Sequence, residues 1–345
     1  MTVFFIVLAA IPAGIFLIGV LLSGPRYHGP TSEHFNGKVF VNPHGAEPHG
    51  FSKVLKWMVS RQRGEWKEDK ESTYGERPLK FFKDGIRITF VNHSTFLIQV
   101  DGINILTDPV WSKRVSPFRF MGPKRRRVPG IRLEDLPHIH VVLLSHNHYD
   151  HLDLPTMRTI FGAHHPKIIT PLGVKNFLDK ESMIGSTDLD WWDEVHLSET
   201  VNVQAVPAQH FSGRGMFDRD ATLWCGYVLK TSVGKIYFAG DTGYNGTTFK
   251  EIGTRTGPFK LSVLPIGAYK PNWFMSPVHT SPDEAVKIHL EVGSEKSIAA
   301  HFGTFPLADE STHDSITDLK EALKKYKVSE DKFLTLKEGV PFIIE

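Results

Sequence analysis

A chain of 345 residues, 41% of them hydrophobic, can bury a full core, so the composition excludes a disordered protein and fits one large domain or two small ones. The net charge of +2, from 40 basic and 38 acidic residues, argues against a dedicated nucleic-acid-binding protein. The single cysteine, Cys225, can form neither an intramolecular disulfide nor a zinc–cysteine cluster, so any metal would be held by histidines and carboxylates.

Residues 3–22 form an uncharged apolar segment at the amino terminus. A helix of this length would be roughly 30 Å long, which matches the apolar core of a bilayer. Pro12 and Gly14 are residues that membrane helices tolerate. A cleaved signal peptide and a buried core helix are the alternatives, but no Lys or Arg precedes the apolar run, as it would in a signal peptide. The segment therefore predicts a transmembrane anchor over residues 1–23.

The basic residues near this segment all lie on its carboxyl side, and they are Arg26, Lys38, Lys53 and Lys56. The positive-inside rule then places the main domain in the cytoplasm. Residues 24–75 are rich in Gly, Pro, His and charge and predict an extended connector. Within it, residues 51–60 have apolar side chains at helical spacing, which predicts an amphipathic helix that packs on the domain or lies on a membrane surface.

The main domain is predicted to begin at about residue 76, where short β-rich runs replace the connector composition. Helical patterns over 171–180, 281–291 and 314–326 separate the later runs. Ser281 can cap the second of these helices, because Pro and two acidic residues follow it. Many strands with helices between and after them predict an α/β fold of two sheets flanked by helices over residues 76–345.

The sequence SHNHYDHLD (145–153) follows the apolar run 141–145, which predicts a buried strand. His146 and His148 are two residues apart, so in extended backbone their imidazoles share a face and can reach one ion. Asp150 and His151 come where the chain turns towards a helix and point elsewhere. The motif therefore indicates two pairs of ligands, one pair for each of two metal ions.

Three further candidate ligands each end a β-like run, and they are His210, Asp241 and His301. Together with the four in the motif they make five histidines and two aspartates, enough for two metal ions that share an aspartate and a hydroxide. The predicted assignment is His146, His148 and His210 on one ion, and Asp150, His151 and His301 on the other. Asp241 would bridge them, and nitrogen and oxygen ligands favour two Zn²⁺ per chain, with iron or manganese as alternatives.

Four sequence motifs, SHNHYDHLD, AQH, FAGDTGY and AAHFGTF, resemble in order the metal motifs of the metallo-β-lactamase superfamily. Residues 92–110 resemble the opening hairpin of that superfamily, with Asp108 as its structural aspartate. The resemblance implies an αββα sandwich with a binuclear site at one edge, here preceded by one hydrophobic helix.

Further motifs, among them LDWWDE, IGAYKPNWFM, HTSPDEAVKIH and HFGTFPLADE, resemble the family of N-acylphosphatidylethanolamine-hydrolysing phospholipases D over about residues 76–345. This resemblance implies a zinc phosphodiesterase that releases N-acylethanolamine and phosphatidate from a membrane phospholipid. It also implies that Tyr149 and His279 contact the substrate. Arg119 and Phe120 stand where the mammalian enzyme has a Gln-Tyr pair. The block 27–43 resembles bacterial relatives, which implies a location at a bacterial inner membrane with the catalytic domain in the cytoplasm.

The expected mechanism is in-line attack on phosphorus by a hydroxide between the two ions, with Asp150 and Asp241 as the catalytic carboxylates. Two alternatives stay open: another hydrolase of the same fold, acting on a different phosphodiester or a lactone, and a non-catalytic membrane-tethered metal-binding regulator. The basic run 124–132 is either a solvated loop or a surface that attracts anionic head groups. No nucleic-acid partner is expected, and a homodimer is left open.

Overall fold

The computed structural model describes residue 14, residues 16–44 and residues 48–345. Residues 1–13 and 15, most of the predicted anchor, lie outside the described residues, and residues 16–22 are helical. In the parts of the chain that are described, no helix is both long and apolar enough to cross a membrane. The transmembrane anchor therefore stays a prediction.

Two seven-stranded sheets form the centre of the molecule. The first sheet has the order β14-β1-β2-β3-β4-β5-β6, and its strands are Ile86–Asn92 (β1), Thr95–Val100 (β2), Ile103–Thr107 (β3), Val141–Leu143 (β4), Lys167–Pro171 (β5), Thr187–Leu189 (β6) and Pro341–Ile344 (β14). The second has the order β13-β12-β11-β10-β9-β8-β7, and its strands are Glu194–His196 (β7), Asn202–Val206 (β8), Gly226–Thr231 (β9), Gly234–Phe238 (β10), Leu261–Pro265 (β11), Ser297–Ala300 (β12) and Phe333–Leu334 (β13).

Each sheet begins with antiparallel strand pairs and continues with parallel ones. In the first sheet the pairs from β14 to β3 are antiparallel and those from β3 to β6 are parallel. In the second, the pairs from β7 to β10 are antiparallel and those from β10 to β13 are parallel. Parallel neighbours need crossover connections, and helices occupy most of them.

Beyond residues 16–22, the α-helices of the described part of the chain are Phe51–Ser60 (α1), Leu154–His164 (α2), Val174–Lys180 (α3), Thr248–Thr256 (α4), Asn272–Met275 (α5), Pro282–Glu291 (α6) and Asp314–Tyr326 (α7). The predicted helix over 314–326 is confirmed, and α6 has the predicted cap, because the Ser281 hydroxyl accepts from the backbone N–H of Glu284. The predicted helix over 171–180 is shorter, because residues as far as Pro171 extend strand β5.

Strand β2 shows how the layers are built. Its alternate residues Phe96, Ile98 and Val100 join the core between the two sheets, while Leu97 joins the core beneath α2 and α3. Side chains of a strand alternate between its faces, so a sheet covered on both sides reads as a continuous apolar run. The two-sheet α/β architecture predicted from the sequence is thus confirmed, with helices on the outer faces of both sheets.

The segment before the sheets also contacts the domain. Phe35 and Phe40 are buried against Leu223 and Trp224, and the backbone N–H of Tyr27 donates to the carbonyl of Ala221. The predicted helix over 51–60 is confirmed as α1, and its packing rests on Trp57, which stacks on Phe274 with ring centroids 4.8 Å apart.

Candidate metal centre

Asp108 anchors the loop that carries the histidine motif. It follows β3 with a positive φ of 33°, a backbone conformation that few residues other than glycine adopt. Its Oδ1 accepts from the backbone N–H of Ser145 at 2.7 Å, and its Oδ2 lies 2.7 Å from His151 Nδ1. Burial raises the pKa of Asp108, while His151 opposes that rise. One buried carboxylate therefore sets the position of both ends of the loop 145–151.

The imidazoles of His146, His148 and His210 meet in a first set of candidate ligands. His148 Nδ1 lies 2.9 Å from His146 Nε2 and 3.2 Å from His210 Nε2. The other ring nitrogen of His210, Nδ1, donates to the carbonyl of Val278 at 2.8 Å, which leaves the lone pair of Nε2 directed at the centre. Burial lowers the pKa of all three histidines, to about 4 for His148, so neutral imidazoles face one another there.

A second set contains Asp150, His151 and His301, and the structure adds His93 to it. Asp150 Oδ2 lies 3.5 Å from His151 Nε2, 3.4 Å from His301 Nε2 and 3.0 Å from His93 Nε2. All four side chains are largely or fully buried. The Nε2 atoms of His151 and His301 make no well-directed hydrogen bond, although carboxylate oxygens lie near them. Nitrogens placed in this way are directed at a common point, as metal ligands are.

Asp241 lies between the two sets. Its Oδ2 is 3.1 Å from His151 Nε2, 3.0 Å from His301 Nε2 and 3.9 Å from His210 Nε2, and its buried Oδ1 has no hydrogen-bond partner. Gly240 brings Asp241 this close: its φ is +62°, and a Cβ there would lie 2.6 Å from the Cβ of Ser145. The structure therefore brings all seven predicted ligands together, with the predicted bridging residue in the middle.

The histidines and aspartates of the second set, together with Asp241, shift one another's pKa values strongly. Burial alone would raise the pKa of Asp241 and of Asp150, but His151 and its neighbouring histidines hold both well below the usual value. Burial would likewise lower the pKa of His301, but Asp241 and Asp150 raise it to about 9, and the carboxylates raise that of His151 as well. Positive charge is thus favoured between these groups, and a divalent cation fits the donor set of imidazole nitrogens and carboxylate oxygens.

Sequence reasoning missed His93. It sits directly after β1 with a φ of 49°, and its ring lies 4.0 Å, centroid to centroid, from that of His301. Its backbone N–H donates to the Thr304 hydroxyl, so the loop after β12 determines where it lies. The signal that could have found it is its position at a strand end, shared with the other ligands.

The two predicted substrate contacts lie on either side of the centre. His279 Nδ1 is 3.8 Å from Asp241 Oδ2 and has no hydrogen-bond partner. Tyr149 is partly buried under the Arg214 guanidinium, 3.9 Å from its ring centroid, and its hydroxyl donates to the Arg214 carbonyl. Tyr149 also borders a groove of about 430 Å³ whose lining includes Arg119 and Arg158. Both residues are placed where a bound substrate could reach them, and their contact with it stays a prediction.

Comparison with known proteins agrees with this geometry. Residues 103–302 match the family described as the beta-lactamase superfamily domain. The chain is 35% identical over 332 residues to N-acyl-phosphatidylethanolamine-hydrolyzing phospholipase D 1 of Caenorhabditis elegans, with 88% of this chain and 92% of that protein covered. It is 34% identical over 227 residues to the mitochondrial N-acyl-phosphatidylethanolamine-hydrolyzing phospholipase D of Saccharomyces cerevisiae, with 64% of this chain and 48% of that protein covered.

Among solved structures, the metallo hydrolase Igni18 of the archaeon Ignicoccus hospitalis shares the fold. It covers 75% of this chain and 99% of its own, with a TM-score of 0.56 and 20% sequence identity. At that identity the likeness supports the fold alone. Together with the sequence matches, it confirms the expected membership: the chain belongs to the metallo-β-lactamase superfamily, and within it to the homologues of the N-acylphosphatidylethanolamine-hydrolysing phospholipases D.

Proposed function

We propose that this metal-dependent hydrolase binds two zinc ions and cleaves the phosphodiester of a membrane phospholipid, with N-acylphosphatidylethanolamine as the substrate. The observation that carries the proposal is the position of Asp241, whose Oδ2 lies within 4 Å of histidine nitrogens from both ligand sets. A single carboxylate so placed suits a pair of ions rather than one. The substrate class is suggested by the names of the relatives that match most of the chain.

The proposed reaction adds water across one P–O bond. The water oxygen bonds to phosphorus, the bond from phosphorus to the ethanolamine oxygen breaks, and the released oxygen takes up a proton, giving N-acylethanolamine and phosphatidate. When bound, a metal pair lowers the pKa of water and neutralises phosphate oxygens. The protein's own part is to hold these groups in place: Asp150 and Asp241 present Oδ2 to the histidines of the centre, and His279 Nδ1 faces the same space.

Tyr149 and Arg119 are proposed to orient the lipid beside the centre. The groove next to Tyr149 is lined by several cations and by Asp153, and Arg119 is exposed at its edge. A guanidinium binds a phosphate oxygen through charge-assisted hydrogen bonds, so this groove suits the anionic part of a phospholipid.

The proposal extends to the organisation of the chain. Residues 1–23 would anchor the protein in a membrane, residues 24–75 would connect the anchor to the catalytic part, and residues 76–345 would form the hydrolase domain in the cytoplasm. Retention of the full chain in membranes washed with alkaline carbonate, and sensitivity of the domain to protease from the cytoplasmic side only, would support this arrangement. Release by carbonate would contradict the anchor.

The function is tested by turnover in ¹⁸O-labelled water. Full-length protein loaded with zinc is incubated with N-acylphosphatidylethanolamine in mixed micelles, and the products are identified by mass spectrometry. The proposal expects N-acylethanolamine without the label and phosphatidate with one labelled oxygen. Formation of diacylglycerol, cleavage of a lactone instead, or no turnover in a protein that holds two metal ions would each contradict it.

A further inference from the structure

A second cationic site lies beside helix α1, apart from the ligands of the metal centre. It is a cavity of about 600 Å³, here named the basic cavity, whose charged lining residues are Arg61, Arg63, Arg114, Lys124 and Arg126. The remaining lining residues are uncharged, and the two carboxylates that pair with its cations, Asp309 and Glu68, are not part of the lining. Neither the family match nor the ligand geometry assigns a role to this cavity.

Only some of these cations are neutralised. Arg61 pairs with Asp309 at 2.7 Å, and Lys124 pairs with Glu68. Within the described part of the chain, no carboxylate lies within ion-pair distance of Arg63, Arg114 or Arg126. The Nε of Arg126 is also buried without a hydrogen-bond partner. Unpaired guanidinium groups around one concave space favour the binding of an anion.

The basic residues of the run 124–132 have two different roles in the structure. Arg125 donates to the carbonyl of Val110 at 2.9 Å and lies over the ring of Phe305, and Arg127 donates to Glu338 at 2.9 Å. These two arginines hold the loop in place. Lys124 and Arg126 instead line the basic cavity. The run is therefore not simply a solvated loop: Arg125 and Arg127 bind neighbouring parts of the fold, and Lys124 and Arg126 place their charges at the basic cavity.

Helix α1 presents an apolar surface next to the basic cavity. Phe51, Leu55, Met58 and Val59 are 81%, 51%, 62% and 82% exposed, and their spacing places them along one side of the helix. The other side is fastened by Trp57, whose Nε1 donates to Asp309, the same carboxylate that holds Arg61. One aspartate thus links the packed side of α1 to Arg61 in the wall of the cavity.

We propose that this surface binds an anionic phospholipid bilayer: the basic cavity takes the phosphate of an anionic head group, and the exposed strip of α1 enters the interface. An amphipathic helix with lysines on its polar side binds membranes in this way, and Lys53 and Lys56 supply those charges. The chemistry of the surface matches that of an anionic lipid. The unpaired arginines attract its negatively charged head group, and the apolar strip suits its acyl chains. The proposal concerns binding, so it does not depend on which bond the metal centre cleaves.

The test measures how full-length protein partitions between two kinds of vesicle, phosphatidylcholine alone and phosphatidylcholine with phosphatidylglycerol. The uncharged residues 3–22 contribute equally to both, so the ratio of the two partition coefficients isolates the preference for anionic lipid. Each cation near an anionic surface contributes about fivefold, which corresponds to ~1 kcal/mol. We expect Arg63→Gln to lower the ratio about fivefold and the double variant with Arg126→Gln to lower it by roughly 25-fold.

The matched control removes the same charge elsewhere. Lys250→Gln with Lys320→Gln lies on exposed positions of α4 and α7 and is expected to leave the ratio unchanged. For the apolar strip, Leu55→Gln with Met58→Gln is compared with Leu290→Gln and Ile184→Gln, whose side chains are similarly exposed at 51% and 65%. Of these two double variants, only Leu55→Gln with Met58→Gln should weaken binding to the anionic vesicles at high salt.

Binding of inorganic phosphate distinguishes a lipid head group from a soluble anion as the ligand of the basic cavity. If calorimetry shows phosphate binding that Arg63→Gln abolishes, while the vesicle ratio is unchanged in that variant, the cavity takes a soluble anion and the membrane proposal is overturned. An equal fall in the ratio for the cavity and control variants would also overturn it, because it would reflect overall charge alone. Arg63 is exposed, so its single substitution keeps the test valid should the double variant fold poorly.

Discussion

His93 Nε2 lies 3.0 Å from Asp150 Oδ2, which is closer than the Nε2 atoms of His151 and His301, at 3.5 and 3.4 Å from the same oxygen. Burial and the neighbouring His301 together lower the pKa of His93 to about 3, so its imidazole is neutral at pH 7. A neutral ring that donates from Nε2 to Oδ2 would orient Asp150, whose Oδ2 also faces His151 and His301. His93 is thus placed to position a ligand.

We expect His93→Ala to lower the affinity for the second metal ion by roughly 10- to 100-fold, the usual effect of losing a residue that orients a ligand. His93→Gln should recover part of that affinity, because a Gln amide can still donate to Asp150. The measurement is metal content after competition with a chelator. The exposed His313→Ala serves as the control. Equal loss in the Ala and Gln variants would instead identify His93 as a direct ligand.

The clustering of the seven candidate ligands could be predicted because each follows an apolar run and lies near a strand end. Strand ends of a sheet meet at one edge, so residues far apart in sequence, such as His146 and His301, become neighbours. Their residue types then indicate a metal site, for which two ions are proposed. The cap at Ser281 could be predicted for a similar reason, because a capping box depends on residues within one turn.

The position of His93 could not be predicted in this way, because it depends on a contact with Thr304, more than 200 residues away along the chain. The surface of α1 presents the same difficulty. Its helical spacing is visible in the sequence, but the face that packs is chosen by Trp57 meeting Phe274 and Asp309, which only the folded chain brings together. Local patterns predict elements, whereas contacts between distant loops decide which faces remain free.

Asp241→Asn tests whether one carboxylate serves both ligand sets. The amide keeps the size of the side chain but removes the charge that lies between His151 and His301. We expect metal content to fall below two ions per chain and turnover to fall by roughly 100-fold or more, since both depend on that charge. Elemental analysis and the product assay measure these effects, with the exposed Asp331→Asn as an isosteric control. Two ions and unchanged turnover in Asp241→Asn would refute the bridging assignment.

The protein freed of metal by a chelator should lose stability as the pH rises. The pKa of His301 is raised to about 9 and that of His151 is also raised, so the folded state binds more protons than the unfolded state above pH ~6.5. The stabilisation is fully present below that value and is lost as the pH approaches 9. We expect the free energy of unfolding to fall by roughly 3 kcal/mol over this window, as measured by denaturant titration.

Zinc should remove most of this pH dependence, because the cation takes the place of the protons between His151, His301 and the two aspartates. Calorimetry in buffers with different heats of ionisation should then detect protons released when the second ion binds at pH 7.5. A flat stability profile in the metal-free protein would contradict the coupling between the histidines and the carboxylates.

Arg214 holds the histidine loop at both ends. Its Nη1 donates to the carbonyls of Asn147 and Leu152 at 2.8 and 2.9 Å, and its guanidinium covers Tyr149. Arg214→Met fills similar space but leaves the two carbonyls without their donor, so we expect it to lower the free energy of unfolding by about 2–4 kcal/mol and to reduce the content of both metal ions.

The matched control for this change is Arg219→Met, since Arg219 lies over Phe211 but is about half exposed, at 48% for its side chain. Such a surface change should stay within about 0.5 kcal/mol. Arg214→Lys keeps the charge but replaces the rigid fork with a flexible ammonium, so it should restore only part of the stability. If Arg214→Met loses stability but keeps both metal ions, the arginine supports the fold without positioning the ligands of the loop.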